Sequence, residues 1–279
     1  MSTSAYRATL AGPTVRGWLR RPGLLLSCLF LLVVAVAVTR PSLLAGADPL
    51  HGQIGERLRG PEAAYLFGTD HLGRDLFARV VHGARLSLAA TGLAVALGAV
   101  TGTLLGLAAG YRGGVVDAVL SRLTDVLLAI PSLLLSLAVV TALGRGTVNI
   151  AVAVGVGSIA AFTRLARAEV LRVRRSDYVE AAQAIGIPWW EVVARHVLPN
   201  SAAPVLALVI VEFAMAILSV ASLSFLGYGA QPPTPEWGVL IAEGRDHLAT
   251  SWWMTTLPGL TVVALVVSLN RIARAVQGR

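Results

Sequence analysis

The chain has no lysine: all 23 of its basic residues are arginine. That removes two kinds of chemistry. A phosphate-gripping Gly-Lys-Ser/Thr loop needs the lysine ammonium, and a Schiff-base enzyme needs a free amine. If ATP drives this protein, another chain must bind it. Cysteine is nearly absent too, and the single Cys28 excludes an intrachain disulfide and a cysteine-built zinc site. Charge is scarce, at 14% of residues, against about 25% in soluble globular domains. What is present instead is apolar: 56% hydrophobic side chains and a mean hydropathy of +0.72 over 279 residues. This excludes disorder, which needs low hydrophobicity and high net charge. The formal charge of +8 belongs to loops beside a membrane rather than to a nucleic-acid surface.

A bilayer-crossing helix needs about 20 mostly apolar residues. Six such runs are read: Pro22–Thr39, Leu86–Tyr111, Val126–Gly144, Gly146–Thr163, one within Val197–Pro235, and Leu248–Asn270. The predicted fold is an all-α integral membrane protein with six transmembrane helices and both termini cytoplasmic. Its parts are a tail (1–21), a first span (22–39), an outer loop (40–85), a five-helix core (86–270) holding an inner loop (164–200), and a second tail (271–279). With the N-terminus inside, inner segments hold 15 arginines and outer segments 8, in keeping with the positive-inside rule. The first run has a basic lead and Ala45-Gly46-Ala47 after it, as in a signal peptide. Its apolar stretch exceeds the usual signal length, so an uncleaved anchor is expected.

Within the second run, Gly98, Gly102, Gly106 and Gly110 stand four apart. Lipid gives helices little hydrophobic drive to pair, so a stripe of small residues predicts close backbone approach. Pro131 removes a backbone bond from the third run and predicts a kink there. Glu212 is the one carboxylate inside a long apolar run. Such a residue is a candidate intramembrane polar site, unless it lies within a turn or two of the cytoplasmic interface and hydrates there.

The inner loop carries Ser176-Asp177-Tyr178-Val179-Glu180-Ala181-Ala182-Gln183-Ala184-Ile185-Gly186. Asp177 with Glu180 three residues on predicts a capped helix start. The alanines favour the helix, and Gly186 is placed to end it in a left-handed turn. Pro188 suits the first turn of a second short helix through Val192, and Pro199 marks the next boundary. Two short helices meeting at a bend, in a chain that cannot bind ATP, predict a knob for a cytoplasmic partner.

Glu180-Ala181-Ala182, then Gly186, then His196-Val197-Leu198-Pro199 resemble the EAA loop of ABC-importer permeases. Leu66–Asp75, Gly83–Leu88, Ala221–Gly227 and Pro235–Gly238 are similar to segments of the dipeptide, oligopeptide and nickel branch of that family. Asn270–Arg274 departs from the Gly-Asp-containing ending common there. The resemblance implies a type I importer permease of the bacterial cytoplasmic (inner) membrane, specifically a "C"-type subunit. It implies that Tyr178, Glu180, Ala181, Ala182, Gly186, His196, Leu198 and Pro199 form the coupling contact with an ATPase. Its implied partners are a second permease, two cytoplasmic ATPases, an external binding protein and the lipid bilayer. No cofactor is expected on this chain, since ATP and magnesium would sit on the ATPases. Asp70, Arg74 and Asp75 are expected to make structural salt bridges where the outer loop folds onto the body. The substrate is expected to be a di- or oligopeptide, with nickel or another small solute as the alternative.

Three rival functions remain to be weighed. His51, Asp70, His71, Asp75 and His82 share one outer loop and are of nickel-ligating types, but no tight metal spacing is present and no metal site is expected. An intramembrane hydrolase would use Ser158 with His196 or His247, yet no Gly-x-Ser-x-Gly elbow surrounds Ser158. A secondary transporter would need intramembrane ion-coupling groups, for which Glu212 alone stands.

Overall fold

In the computed structural model, residues 22–177, 179, 187–193, 195 and 198–276 are described. The first helix, α1 (Pro22–Thr39), is uniformly apolar. It is followed by an outer segment with two short 3-10 turns, Pro41–Leu43 and Ile54–Glu56. Helix α2 spans Leu76–Arg112, starting at Leu76 rather than at Leu86. The cause is local: the Asp75 carboxylate accepts from the N–H groups of Phe77 (2.8 Å) and Ala78 (3.3 Å), satisfying donors that a helix start leaves open. Asp75 is therefore a helix cap, not a salt-bridge partner.

The third run is not one kinked helix but two, α3 (Gly114–Ala129) and α4 (Ser132–Leu143), meeting at 96°. Pro131 disfavours helical geometry at the residue before it, and Ile130 is accordingly extended (φ −92°, ψ 128°). Two consecutive non-helical residues turn an expected kink into a break. A tight turn through Gly144 (φ +87°) and Gly146 (φ +136°) then leads into α5 (Thr147–Arg174). The Asn149 amide closes that turn by donating to the carbonyls of Leu143, Gly144 and Arg145 at 3.1–3.3 Å. A single short turn, α6 (Trp189–Val192), precedes α7 (Leu198–Leu223). Helix α7 ends in a π-helical turn, Ser224–Tyr228, where Gly227 takes φ +93°. Then come α8 (Trp237–Gly244) and α9 (Trp253–Val276). Among the described residues, five helices are long and apolar enough to cross a membrane, or six if the broken pair is one span.

Two apolar cores knit the bundle. One joins α1, α2, α7, α8 and α9 around Val34, Ala84, Ile217, Trp237 and Leu265. The other joins α2, α4, α5 and α7 around Ala94, Val140, Phe162 and Val220. A smaller third cluster lies at the end of the α2–α5 pair. There Val170 and Val173 of α5 bury Val179 and Val192, with Leu107 and Tyr111 of α2 packed alongside.

Candidate functional site

The four glycines of α2 all face α5. A Cβ built on Gly98 would come within 2.8 Å of the Ser158 Cβ. On Gly102 it would meet the Ile159 carbonyl and the Phe162 Cβ at 2.6 Å, on Gly106 the Ala166 Cβ and Thr163 carbonyl at 2.6 Å, and on Gly110 the Val170 Cβ at 2.9 Å. Backbones thus lie in direct contact over three helical steps, where any side chain would hold them apart. Helix α3 is tied to the same pair: Arg167 of α5 binds the Asp117 carboxylate through both Nε and Nη2, the latter at 2.7 Å.

The inner loop is built on the end of this pair. Of its expected contact residues, Tyr178, Glu180, Ala181, Ala182, Gly186 and His196 lie outside the described residues. Leu198 and Pro199 form the first turn of α7, where a proline's missing N–H costs nothing. The flanks are described: Val179 and Val192 are completely buried against α5 and α2. The Pro188 carbonyl accepts from the N–H groups of Glu191 (3.0 Å) and Val192 (3.2 Å). Val179 and Val192 thus join the described flanks of this segment to the α2–α5 pair.

Glu212 is half-buried on α7, about 21 Å along the helix from Leu198 at 1.5 Å per residue. Counted from Pro204, where the apolar span of this helix begins, Glu212 lies about 12 Å, or some two turns, inside it. Ser158 of α5 donates to the Val154 carbonyl at 3.3 Å and is packed against Gly98.

The outer loop docks through a buried cluster of charge. Asp70 accepts from Arg74 Nε (2.6 Å) and Arg79 Nη1 (2.8 Å), and Arg79 Nη1 also reaches Glu243 of α8 at 2.5 Å. Arg79, Asp70 and Arg74 are 0%, 1% and 3% exposed by side chain, so two cations and two anions cancel where isolated charge would be very costly. Burial alone would raise the Asp70 carboxyl. The Arg74 backbone N–H and the charges of Arg79 and Arg74 outweigh that and hold it below the ordinary carboxylate range. Arg79 and Glu243 escape sequence reading because they are 164 positions apart and belong to no spacing pattern. The lock continues nearby. The Trp237 indole donates to the Val80 carbonyl (2.8 Å), its backbone N–H donates to Ser87 Oγ (3.0 Å), and the Trp253 indole donates to the Thr69 carbonyl (3.1 Å). Glu236, fully buried, accepts from Ser224 Oγ and the Ala230 N–H.

The five metal-type residues of this loop do not converge. His51 pairs with Asp48 at 2.6 Å, Asp75 caps α2, and His82 points at the Ala45 carbonyl. Only Asp70 and His71, joined by Glu243, bring ligand atoms within 4.8 Å of one another. Both carboxylates are already held by Arg74 and Arg79, whose positive charges oppose a metal cation there.

Comparison with known proteins agrees with this architecture. Residues 102–279 match the family described as binding-protein-dependent transport system inner membrane component. The di/tripeptide transport system permease protein DppC of Pseudomonas aeruginosa is 44% identical over 213 residues, 76% of this chain and 70% of that protein. The dipeptide transport system permease protein DppC of Alkalihalophilus pseudofirmus is 38% identical over 250 residues, 90% of this chain and 81% of that protein. Among solved structures, the MetNI methionine ABC transporter in its inward-facing conformations superposes with a TM-score of 0.55 at 20% identity, covering 71% of this chain and 96% of that one. That likeness speaks for the fold alone.

Proposed function

Because the chain belongs to the binding-protein-dependent inner membrane components, subunits of bacterial importers, we propose that it is the permease of a peptide importer. In this reading a second, related permease completes the pathway and two separate ATPases bind and hydrolyse ATP. An external binding protein delivers di- or oligopeptides. Both termini face the cytoplasm, on the arginine asymmetry of the loops. The observation that carries the substrate class is the extent of the match to dipeptide permeases, 90% of this chain in one case.

The packing beside the inner loop supports a mechanism of coupling. ATPase closure would push on residues 178–186, with Glu180 and Gly186 shaping the contact. Val179 and Val192 are clamped on Val170 and Val173, so the push reaches α5. Helix α5 cannot slide freely against α2, because the glycine contacts leave no slack, and the pair moves as a rigid body. The break at Pro131 lets α3 follow that motion while α4 stays with the outer half.

The test is uptake by the purified four-part assembly in proteoliposomes, supplied with the binding protein. Dialanine uptake that requires ATP, and stops with a hydrolysis-dead ATPase, is the expected result. Uptake of nickel instead of dialanine would move the substrate to the alternative. Uptake driven by an ion gradient without ATP would overturn the importer reading.

A further inference from the structure

Helices α2, α3 and α5 enclose a cavity of about 240 Å³ lined by Ser121, Thr124, Asp125, Thr163, Arg164 and Arg167. Its two charged pairs differ. Arg167 is closed on Asp117, to which Ser121 also donates at 3.2 Å. Arg164 and Asp125 stand 3.7 Å apart, with side chains 69% and 59% exposed. That is too long for a hydrogen bond and leaves both groups able to swing. The Thr124 and Thr163 hydroxyls donate to the carbonyls of Leu120 (2.7 Å) and Ile159 (2.8 Å), so they offer only acceptor lone pairs to the cavity. By helix rise, Arg164 lies about 15 Å from the Arg174 end of α5 and Asp125 about 16 Å from the Gly114 start of α3. The two helices thus bring opposite charges to one level, at the inner margin of the apolar runs Val126–Gly144 and Gly146–Thr163.

We propose that this pocket receives the two charged ends of a zwitterionic short peptide, the ammonium at Asp125 and the carboxylate at Arg164. The proposal rests on the peptide-importer reading above. A lone cation would meet Arg164, and a lone anion would meet Asp125. Only a ligand carrying both charges exchanges the loose internal pair for two charge-assisted contacts, one of them suited to the arginine fork. The volume is below the roughly 300–1,000 Å³ of pockets that enclose a whole drug-sized ligand. The pocket therefore grips backbone termini, leaves side chains outside, and tolerates varied peptide sequences.

The test uses the complete transporter in nanodiscs, without binding protein, carrying Cys28→Ser and Ser121→Cys. A hydrophilic maleimide labels Cys at position 121, and dialanine is the probe. Dialanine is expected to slow labelling, with at least a tenfold higher concentration required after Asp125→Asn or Arg164→Gln, for N-acetyl-dialanine, and for dialanine amide. Asp125→Glu is expected to keep protection, and the labelling rate without peptide reports that each variant is folded. Equal protection by the blocked peptides, no protection by dialanine, or no labelling by the hydrophilic reagent would overturn the proposal. Wild-type dialanine uptake is scored separately. Uptake without protection overturns the pocket alone, and protection without uptake supports the pocket while overturning the importer reading.

Discussion

Adding one carbon to Gly102 isolates the close contact between α2 and α5. The new Cβ of Gly102→Ala would lie 2.6 Å from the Ile159 carbonyl and the Phe162 Cβ, and 3.1 Å from the Thr163 nitrogen. Ordinary contacts between non-bonded carbons fall near 3.5–4.0 Å, so the helices must part by about 1 Å. The obstacles are backbone atoms and a Cβ, which cannot rotate away. Overpacking of this kind costs about 1–3 kcal/mol. Helix propensity works in the opposite direction, since alanine is favoured over glycine by about 1 kcal/mol in an open helix position. Gly92→Ala provides the control, because on the same helix nothing lies within 4 Å of its Cβ. Gly92→Ala is expected to leave thermal stability unchanged or raised. Gly102→Ala is expected to lower Tm by several degrees, at about 2–4 °C per kcal/mol for a chain of this size. The assay is thermal denaturation of the purified protein in one detergent, with all variants scanned together. Coincident melting of Gly92→Ala and Gly102→Ala would refute the argument that the stripe is a close backbone interface.

Arg79→Gln leaves Asp70 and Glu243 facing each other with one guanidinium between them. Breaking a buried pair costs about 3–5 kcal/mol, so limited proteolysis should cut the outer loop at least tenfold faster than in wild type. Acidification tests the same lock with a defined sign. The Asp70 carboxyl is held below its usual 3.8 in the folded protein. Its contribution is therefore complete above pH 3.8 and declines as pH falls through the lower folded value. Thermal scans between pH 7 and pH 3 should show an acid-side loss of Tm that Asp70→Asn diminishes; an identical loss in the variant would remove Asp70 from the explanation. Gly186→Pro is expected to distort the bend of the inner loop, so that the chain still inserts and ATP is still hydrolysed while dialanine uptake falls at least tenfold. Wild-type uptake by that variant would count against the coupling role.

Features that depend on short stretches of chain were legible in the sequence. Apolar length announces a membrane helix because lipid tests each segment by itself. The glycines at 98, 102, 106 and 110 announce a flat face because a four-residue step returns near the same side of a helix. Even so, local reading fell short where one more bond mattered. The Asp75 cap extends α2 to Leu76, and the extended Ile130 turns the expected kink at Pro131 into a 96° break. Asp70 and Arg74 form the ion pair that the resemblance implied, whereas Asp75, expected to do the same, caps α2 instead.

Composition and apolar runs by themselves determined that the chain is a multi-span membrane protein. Each is a sum over local sequence and needs no knowledge of neighbours. Only the tertiary structure decided which charges cancel, which helix faces the glycines, and what the inner loop presses on. Arg79 meets Glu243, Arg167 meets Asp117, and Val179 is buried on α5. Those pairings depend on where distant helices cross, and a crossing is fixed by packing of whole surfaces rather than by any spacing along the chain.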